Sequence, residues 1–337
     1  RDMVSDRKKK LRTVARRKLK EGEVGCFVGY QQPINNLFSP PLIAESLNDL
    51  ERLTVNPLSV GNLSLYLPDL TEEENNQKVG VVVKGCDSRT LNVLLQEDVL
   101  KRENLFIVGL PCEGILDPSK LREFCREEEI STEEFLSADF SWEGDKVVGH
   151  LEEKEFEIPK EDNLLPKCRD CDYPNPIDCD VRLGSEVEPG EKNFDRVEGI
   201  EDFSLEERWE YWERMFDRCI RCYACRSICP LCYCESCKVD PRDIPITEDT
   251  TPEEKANRPE WIEKVPNLSS NLFFHILRIV HTAGRCVGCG ECERACPMDI
   301  PLTELSQKLE KEVRKFDYVP GLDAEGDQFL TDYKEEE

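Results

Sequence analysis

The sequence predicts an α+β multidomain chain, in which an α/β module with a short parallel sheet is followed by an α-helical domain. Continuous apolar runs at 79–84 and 105–110, each followed by helix signals, predict the α/β module. Two similarly spaced runs of four cysteines, each preceded by an amphipathic segment, predict the second domain. A chain of 337 residues is long enough for two or three domains.

Residues 1–21 are strongly basic and predict a helical N-terminal arm, which is either solvated or bound to an acidic neighbouring subunit. The whole chain nevertheless carries a net charge of −26. Such an acidic body repels nucleic acid and anionic membrane surfaces, and it favours docking to a basic protein partner. We find no apolar run of membrane-spanning length, and no signal-peptide core follows the basic residues.

The α/β module is predicted over residues 22–185. A short strand is expected at 24–30, and a hairpin turn is expected at Glu143-Gly144-Asp145. Between them the pattern predicts a strand, a turn, a helix, a strand and a helix at residues 79–84, 85–89, 90–100, 105–110 and 117–129. This order is a βαβα unit with a parallel pair of strands and a right-handed crossover.

Four cysteines of this module suggest a metal site. Cys86 and Cys112 each follow a predicted strand, where open α/β sheets bind their ligands. Cys168 and Cys171 form a C-x2-C pair, and two thiolates need two more ligands. Cys86 and Cys112 are the nearest candidates by topology, although both could also be buried core cysteines.

The cysteine runs of the second domain follow C-x2-C-x2-C-x3-C-P, the pattern that holds two [4Fe-4S] clusters in bacterial ferredoxins. In that pattern the fourth cysteine of each run ligates the other cluster. The predicted sets are Cys219, Cys222, Cys225 and Cys296 for one cluster, and Cys286, Cys289, Cys292 and Cys229 for the other. Structural zinc sites are the alternative, but the prolines that follow both runs have no role in a zinc knuckle.

Three segments of the α/β module resemble a known family. They are VKGCDSR (83–89), VGLPCEG (108–114) and CRDCDYPNPIDCDVRLG (168–184). Their order is similar to that in the beta-subunit family shared by deazaflavin-reducing hydrogenases and deazaflavin-linked formate dehydrogenases. The resemblance covers about residues 78–185. It implies that Cys86, Cys112, Cys168 and Cys171 bind a third [4Fe-4S] cluster, and it implies kinship with subunits that bind FAD. The sequence departs from the family in two respects: the ferredoxin runs come after this module, and no G-x-G-x-x-G phosphate loop is present.

Residues 204–316 resemble the α-helical ferredoxin module of the heterodisulfide reductase C subunit and of succinate dehydrogenase iron–sulfur subunits. A helix precedes each cysteine run, and 56 residues separate Cys229 from Cys286. The resemblance implies an α-helical two-cluster ferredoxin domain. A linker is predicted at 186–203 and a mobile acidic tail at 317–337.

Other cysteines extend the first run. Cys232, Cys234 and Cys237 could hold a further cluster with Cys179 or a partner's residue, could bind zinc, or could be free thiols. The three histidines show no ligand spacing. His281 could donate a hydrogen bond to a cluster sulfur, because it lies five residues before Cys286.

These features favour an iron–sulfur electron-transfer subunit of a multi-subunit anaerobic oxidoreductase. The chain shows no nucleophile–base pair, so other oxidoreductase subunits must serve as electron donor and acceptor. Eighteen cysteines without a secretion signal predict a reducing, cytoplasmic location. One alternative is a FAD-containing subunit that itself reduces a deazaflavin or similar carrier, with Lys84 and Arg89 as candidates to hold phosphate. Another is a cluster-based redox sensor or scaffold.

Overall fold

A computed structural model describes residues 4–34, 36–71, 77–152, 154–234, 237, 240, 251–253, 262–263 and 265–325. They fall into two compact units, residues 4–193 with 320–325 and residues 194–319. The predicted linker at 186–203 is divided between them. Its first part packs in the first unit, where Asn175 Nδ2 donates to Val187 O at 2.7 Å. Its second part contains the first helix of the second unit.

The first unit combines strands and short helices. Its helices are α1 (Val4–Lys20), α2 (Leu67–Thr71), α3 (Gly85–Gln96), α4 (Pro118–Glu127), α5 (Thr132–Ser137), α6 (Lys160–Asn163) and α7 (Pro166–Arg169). Its strands are β1 (Val24–Gln31), β2 (Pro41–Ala44), β3 (Leu53–Thr54), β4 (Lys78–Val83), β5 (Leu105–Gly109), β6 (Asp139–Glu143), β7 (Lys146–His150), β8 (Glu155–Pro159) and β9 (Val181–Arg182).

A mixed six-stranded sheet forms the centre of this unit. The strand order is β2-β1-β4-β5-β9, with β3 paired to β1 outside that order. β1, β4, β5 and β9 are parallel neighbours, whereas β2 and β3 run antiparallel to β1. Val81 of β4 lies opposite Ile107 of β5, and both are fully buried. Burial on both faces explains why these strands read as continuous apolar runs.

The predicted strands are confirmed, but the turn predicted at 85–89 is wrong. Helix α3 begins directly at Gly85. The carboxylate of Asp87 accepts a hydrogen bond from the Lys84 backbone N–H at 3.0 Å, and this bond caps the first turn. Cys86 therefore lies in the first turn of a helix at the carboxyl end of β4.

A second, antiparallel sheet follows in the order β6-β7-β8. The predicted turn at Glu143-Gly144-Asp145 joins β6 to β7 and is confirmed, with Gly144 at φ +63°. Phe135, Phe140 and Phe156 pack beneath this sheet with ring centroids 5.4–6.3 Å apart. The sheet thus has its own aromatic core.

Helix α1 is not a free arm. Leu11 and Ala15 are fully buried, and Arg7 is only 5% exposed. Arg12 Nε donates to Leu53 O at 2.9 Å, and Arg7 Nη1 donates to Pro111 O at 3.1 Å. The buried side chains of Leu11 and Ala15 therefore pack α1 into the first unit, while its other lysines and arginines cover the outside.

The start of the predicted tail also belongs to the first unit. Arg89 Nε donates to Pro320 O at 3.0 Å, and Asn92 Nδ2 donates to Gly321 O at 3.1 Å. These bonds hold the chain against α3, so residues 320–321 differ from the mobile tail that the composition predicts. Residues 326–337 lie outside the described part of the chain.

The second unit is helical. Its helices are α8 (Asp195–Glu201), α9 (Leu205–Asp217), α10 (Ala224–Ser227), α11 (Leu268–His281), α12 (Glu291–Arg294) and α13 (Leu302–Arg314). Phe216, Phe274, Ile300 and Leu302 form its core. A parallel sheet followed by a helical region confirms the predicted fold class. None of the helices that the structure describes is both long and apolar enough to cross a membrane.

Candidate metal centres

The two cysteine runs of the second unit share one backbone path. In the first run Arg221 and Tyr223 take left-handed conformations with φ of +48° and +62°. In the second run Gly288 and Gly290, at the same positions relative to the first cysteine, have φ of +68° and +67°. Left-handed backbone is costly for residues other than glycine. Keeping the same turns therefore costs conformational free energy in the first run, where the two residues are not glycines.

Two cysteines of the first run, Cys219 and Cys225, lie beside the last cysteine of the second. Burial raises the pKa of the Cys219 thiol, and the nearby Cys296 and Cys222 thiols raise it further. Burial also raises the pKa of Cys225 to about 11, and Cys292, Cys219 and Cys296 add to that shift. The first predicted ligand set, Cys219, Cys222, Cys225 and Cys296, thus lies within a wider group of thiols that includes Cys292.

The reciprocal arrangement holds for the second set. Burial raises the pKa of Cys286 to about 12, and Cys292 and Cys229 add to the effect. Cys229 also raises the pKa of Cys292. The last cysteine of the first run therefore lies beside the second run, in which Cys289 stands between the other two.

These thiols are neighbours, but they do not lie close enough together to coordinate one metal ion. Within the ranges that the structure describes, no three His, Cys, Asp or Glu side chains form a group that could hold a metal ion. Two observations still fit an iron–sulfur cluster. The donors are all sulfur, which favours iron–sulfur clusters or zinc over hard cations. In addition, the thiols surround a buried cation.

That cation is Arg278 of α11. It is 9% exposed, and its Nε is buried without a hydrogen-bond partner among the described residues. Burial lowers the pKa of Arg278, but the nearby thiols of Cys292, Cys229, Cys225 and Cys232 together outweigh burial and raise it well above its ordinary value. A buried guanidinium needs an anion nearby. Metal-bound thiolates would supply that charge, because coordination deprotonates a thiol outright.

Helix α11 carries further polar residues toward the first run. Asn271 Nδ2 donates to Phe216 O at 3.1 Å and to Cys219 O at 2.7 Å. His275 Nε2 lies 3.4 Å from Cys219 Sγ. Burial lowers the pKa of His275 to about 3, and Arg278 contributes to that shift.

Sequence reasoning missed these three residues. It considered His281 instead, which is exposed. The signal was available, because Asn271, His275 and Arg278 recur at i, i+4 and i+7 in an otherwise apolar helix. One face of a helix shares that spacing, so a polar stripe there marks a buried polar contact.

The first unit gathers a separate group of thiols. Cys112 follows β5, and Cys168 lies in α7. Burial raises the pKa of Cys112 to about 11, and Cys168 contributes to it. Burial raises the pKa of Cys171 to about 11 as well, and the Cys112 thiol makes the next largest contribution to that shift. The predicted third set therefore has three mutual neighbours.

Cys86 is the fourth member of that set. It has a neighbouring cation, Lys84, in common with Cys112. Burial lowers the pKa of Lys84, yet Asp87 and Tyr30 outweigh it, and Cys86 and Cys112 also raise this pKa. Lys84 is 4% exposed, and its Nζ lies 3.0 Å from the Asp87 carboxylate and 3.1 Å from Gly61 O. It is thus a buried cation close to the thiols.

The structure speaks against the prediction that Lys84 and Arg89 hold a flavin phosphate. The partners of Lys84 are internal. Arg89 is 3% exposed, it donates to Pro320 O, and its guanidinium lies 4.6 Å from the ring centre of Tyr173. The cavity that Lys84 lines together with Cys112 and Trp142 has a volume of only about 20 Å³. That volume suits about one water molecule, whereas ligand pockets measure hundreds of Å³.

The extra cysteines do not form a group of their own. A hydrogen bond donated by the Cys229 thiol lowers the pKa of Cys232 to about 7. Cys234 is exposed. Cys179 lies against β5, where its sulfur would stand 2.8 Å from a Cβ at Gly109. Residues 235–236 and 238–239, which flank Cys237, lie outside the described residues.

Comparisons with known proteins agree with both halves of this description. Residues 76–201 match the family model described as the C terminus of the coenzyme F420 hydrogenase/dehydrogenase beta subunit. Residues 215–300 match the model of a 4Fe-4S dicluster domain. The beta-subunit resemblance of the sequence is thereby confirmed.

Two relatives match most of the chain. The F420-dependent formate dehydrogenase subunit beta of Methanocaldococcus jannaschii is 28% identical over 326 residues, covering 79% of this chain and 78% of the relative. The F420-dependent formate dehydrogenase 1 subunit beta of Methanococcus maripaludis is 26% identical over 320 residues, covering 76% of each. A chain of the F420-reducing [NiFe] hydrogenase complex from Methanosarcina barkeri has 17% identity and a TM-score of 0.39, covering 46% of this chain and 56% of that one.

Proposed function

We propose that this chain is the iron–sulfur electron-transfer subunit of a multi-subunit anaerobic oxidoreductase. Its relatives are named as beta subunits of F420-dependent formate dehydrogenases, so a formate- or hydrogen-oxidising subunit is the proposed partner. Electrons would pass singly between that partner and an acceptor, because iron–sulfur clusters exchange one electron at a time.

The observation that carries the proposal is the exchange of last cysteines between the two runs. Cys296 lies beside Cys219 and Cys225, and Cys229 lies beside Cys286 and Cys292. Two independent zinc knuckles would use ligands within each run and would not need this exchange. The proposed ligands are therefore Cys219, Cys222, Cys225 and Cys296 for one [4Fe-4S] cluster, and Cys286, Cys289, Cys292 and Cys229 for a second.

A third [4Fe-4S] cluster is proposed at Cys86, Cys112, Cys168 and Cys171. The carboxyl ends of β4 and β5 place the first two cysteines at one edge of the sheet. Lys84 would offset part of the negative charge of the bound group. No further metal is proposed for Cys232, Cys234 and Cys237.

A second candidate function is direct reduction of a deazaflavin carrier through bound FAD. It is favoured by the match to a model named for coenzyme F420 hydrogenase and dehydrogenase beta subunits. The residues we predicted for flavin phosphate are buried, so any flavin would need other contacts.

The deciding experiment is to measure iron, sulfide, zinc and flavin in anaerobically purified protein. Three clusters predict about twelve irons per chain, and the ferredoxin pair alone predicts about eight. One flavin per chain would favour the second candidate. Zinc in place of iron and sulfide would refute both.

A further inference from the structure

Lys84 has a complete set of hydrogen-bond acceptors inside the first unit. It is 4% exposed, and its Nζ lies 3.0 Å from the Asp87 carboxylate and 3.1 Å from Gly61 O. Its third contact is with the Tyr30 hydroxyl, which itself donates to Gly61 O at 2.9 Å. An ammonium group has three donors, whereas a neutral amine has only two. The three acceptors therefore hold Lys84 in its charged form.

Asp87 is the anion of this buried pair, and its two oxygens face different groups. The residue is fully buried. One oxygen, Oδ2, accepts from the Lys84 ammonium and from the Lys84 backbone N–H, each at 3.0 Å. The other oxygen, Oδ1, lies 3.8 Å from Cys86 Sγ. Asp87 therefore stands between a buried cation and a cysteine of the third predicted set.

Metal binding changes the contact between Cys86 and Asp87. A free thiol donates its proton to Oδ1, but coordination deprotonates the thiol. The carboxylate then faces a thiolate, and both of these groups only accept hydrogen bonds. Two anions at this distance repel each other strongly in a buried site unless a cation balances one of them. Lys84 is the cation in that position.

The same pair adjoins a second cysteine of the third set. Lys84 and Cys112 line one cavity of about 20 Å³, which has room for about one water molecule. The backbone N–H of Cys112 donates to Pro174 O at 3.0 Å, and Pro174 follows Cys171 by three residues. The pair is therefore part of the surroundings of the whole set rather than of Cys86 alone.

We propose that the Lys84–Asp87 pair sets the reduction potential of the third cluster. Lys84 raises that potential and Asp87 lowers it, so the intact pair holds the potential between two extremes. Reduction adds one electron, and hence one negative charge, to a cluster without forming or breaking a bond. A nearby cation stabilises the added charge, and a nearby anion opposes it. This inference rests on the third ligand set of the proposed function.

The test is a redox titration of the anaerobically purified full chain, with dithionite as reductant and electron paramagnetic resonance as readout. Lys84→Met removes the cation, Asp87→Asn removes the anion, and the double variant removes both charges. Each replacement is close in size to the side chain that it replaces. The signal that is lost in Cys112→Ala identifies the third cluster.

A lysine of the same unit provides a matched control. Lys18 is partly buried, pairs with the Glu23 carboxylate, and its Nζ lies 4.6 Å from the ring centre of Phe106. Lys84 Nζ similarly lies 4.3 Å from the ring centre of Tyr30. Phe106 is the second residue of β5, however, whereas the third set lies beyond the opposite, carboxyl end of that strand. Lys18→Met therefore removes a similar ion pair without changing the charge beside the cysteines.

The two single variants are expected to shift the potential in opposite directions. In Lys84→Met the reduced-to-oxidised ratio of the third cluster at the wild-type midpoint falls about tenfold, which corresponds to about 60 mV for one electron. In Asp87→Asn the ratio rises by a similar factor, because the carboxylate charge beside Cys86 is gone. The double variant returns close to wild type, and Lys18→Met leaves the ratio unchanged.

Structural damage gives a different pattern, because it lowers the iron content or shifts the potential in one direction whichever charge is removed. If the wild type holds about twelve irons but Lys84→Met and Asp87→Asn titrate like wild type, or shift the same way, the inference is overturned and the proposed function stands. About eight irons in the wild type would remove the third cluster from the proposed function, and the inference with it. Should Lys84→Met not fold, the other two variants still decide, because the potential must fall from Asp87→Asn to the double variant.

Discussion

The thiols of the second unit and those of the first unit are assembled in different ways. In the second unit, two runs of eleven residues each, Cys219–Cys229 and Cys286–Cys296, supply every proposed ligand. Left-handed turns at matching positions bend both runs alike. In the first unit the proposed ligands come from α3, the loop after β5 and the segment around α7. The sites of the second unit follow from the local spacing of the cysteines, whereas the site of the first unit exists only after a parallel sheet has formed.

The two kinds of site also receive their positive charge differently. Arg278 reaches the first run from a single helix and donates to Cys225 O at 3.1 Å. Lys84 is held by Asp87 and Gly61 O and acts on Cys86 and Cys112 through space. The Lys84–Asp87 pair lies within one segment, three residues apart, whereas Arg278 and Cys225 are 53 residues apart in the chain.

The largest expected effect is that of Cys222→Ala. Removing this ligand should lower the iron content by about four atoms per chain and stop electron transfer in the complex. The first unit should stay folded, because its core shares no residue with this run. Iron analysis and turnover of the assembled complex measure both effects. Ile220→Ala, in the same turn but 53% exposed, is the control and should keep its iron. Full turnover in the Cys222→Ala variant would contradict the electron-transfer role.

Cys112→Ala tests the site that depends on the sheet. It should also remove about four irons, while the signals of the two ferredoxin-type clusters remain. The matched control is Cys125→Ala, a cysteine 6% exposed in the core of the same unit. That variant should lose some stability and no iron. Unchanged iron in Cys112→Ala would mean that this thiol is only a core residue.

Gly85→Ala tests whether tertiary packing positions the third set. A Cβ at residue 85 would stand 1.8 Å from Tyr173 O, so the segment that follows Cys171 must move. Overpacking of this kind costs about 1–3 kcal/mol. We expect a lower melting temperature and partial loss of the third cluster, measured as iron per chain. Gly199→Ala, with nothing within 4 Å of the added Cβ, is the control. Equal iron and stability in both variants would refute the close approach.

The smallest expected effect concerns an ion pair of the second unit. Hydrogen bonds from Lys308 and Lys311 lower the pKa of Glu201 from 4.5 to about 2. A lowered pKa stabilises the folded state above about pH 4.5, and that stabilisation is lost as the pH falls toward 2. Glu201→Gln should therefore lower the melting temperature by roughly 1–2 °C at pH 7, with the difference shrinking below pH 4. Glu210→Gln, an exposed carboxylate of α9, should match wild type. A difference that persists at pH 2 would exclude this electrostatic cause.

Local patterns predicted the elements well where one short segment decides the outcome. The strands at 79–84 and 105–110, the hairpin at Gly144 and the helix predicted from residue 117 are all confirmed. The strands follow from continuous apolar runs, the hairpin from a glycine with positive φ, and the helix from the capping side chain of Asp117. The turn predicted at 85–89 failed for a related reason, because the capping carboxylate of Asp87 was not recognised.

The sequence by itself determined the spacing of the cysteines, the buried strands and the acidic body, because these follow from residue order and composition alone. Only the tertiary structure decided that α1 packs inside the first unit and that the Lys84 and Arg89 side chains are buried. It also decided that His275 meets Cys219 across 56 residues. Burial and hydrogen-bond partners depend on elements far apart in the chain. A basic or imidazole side chain therefore has no fixed role until those elements have packed.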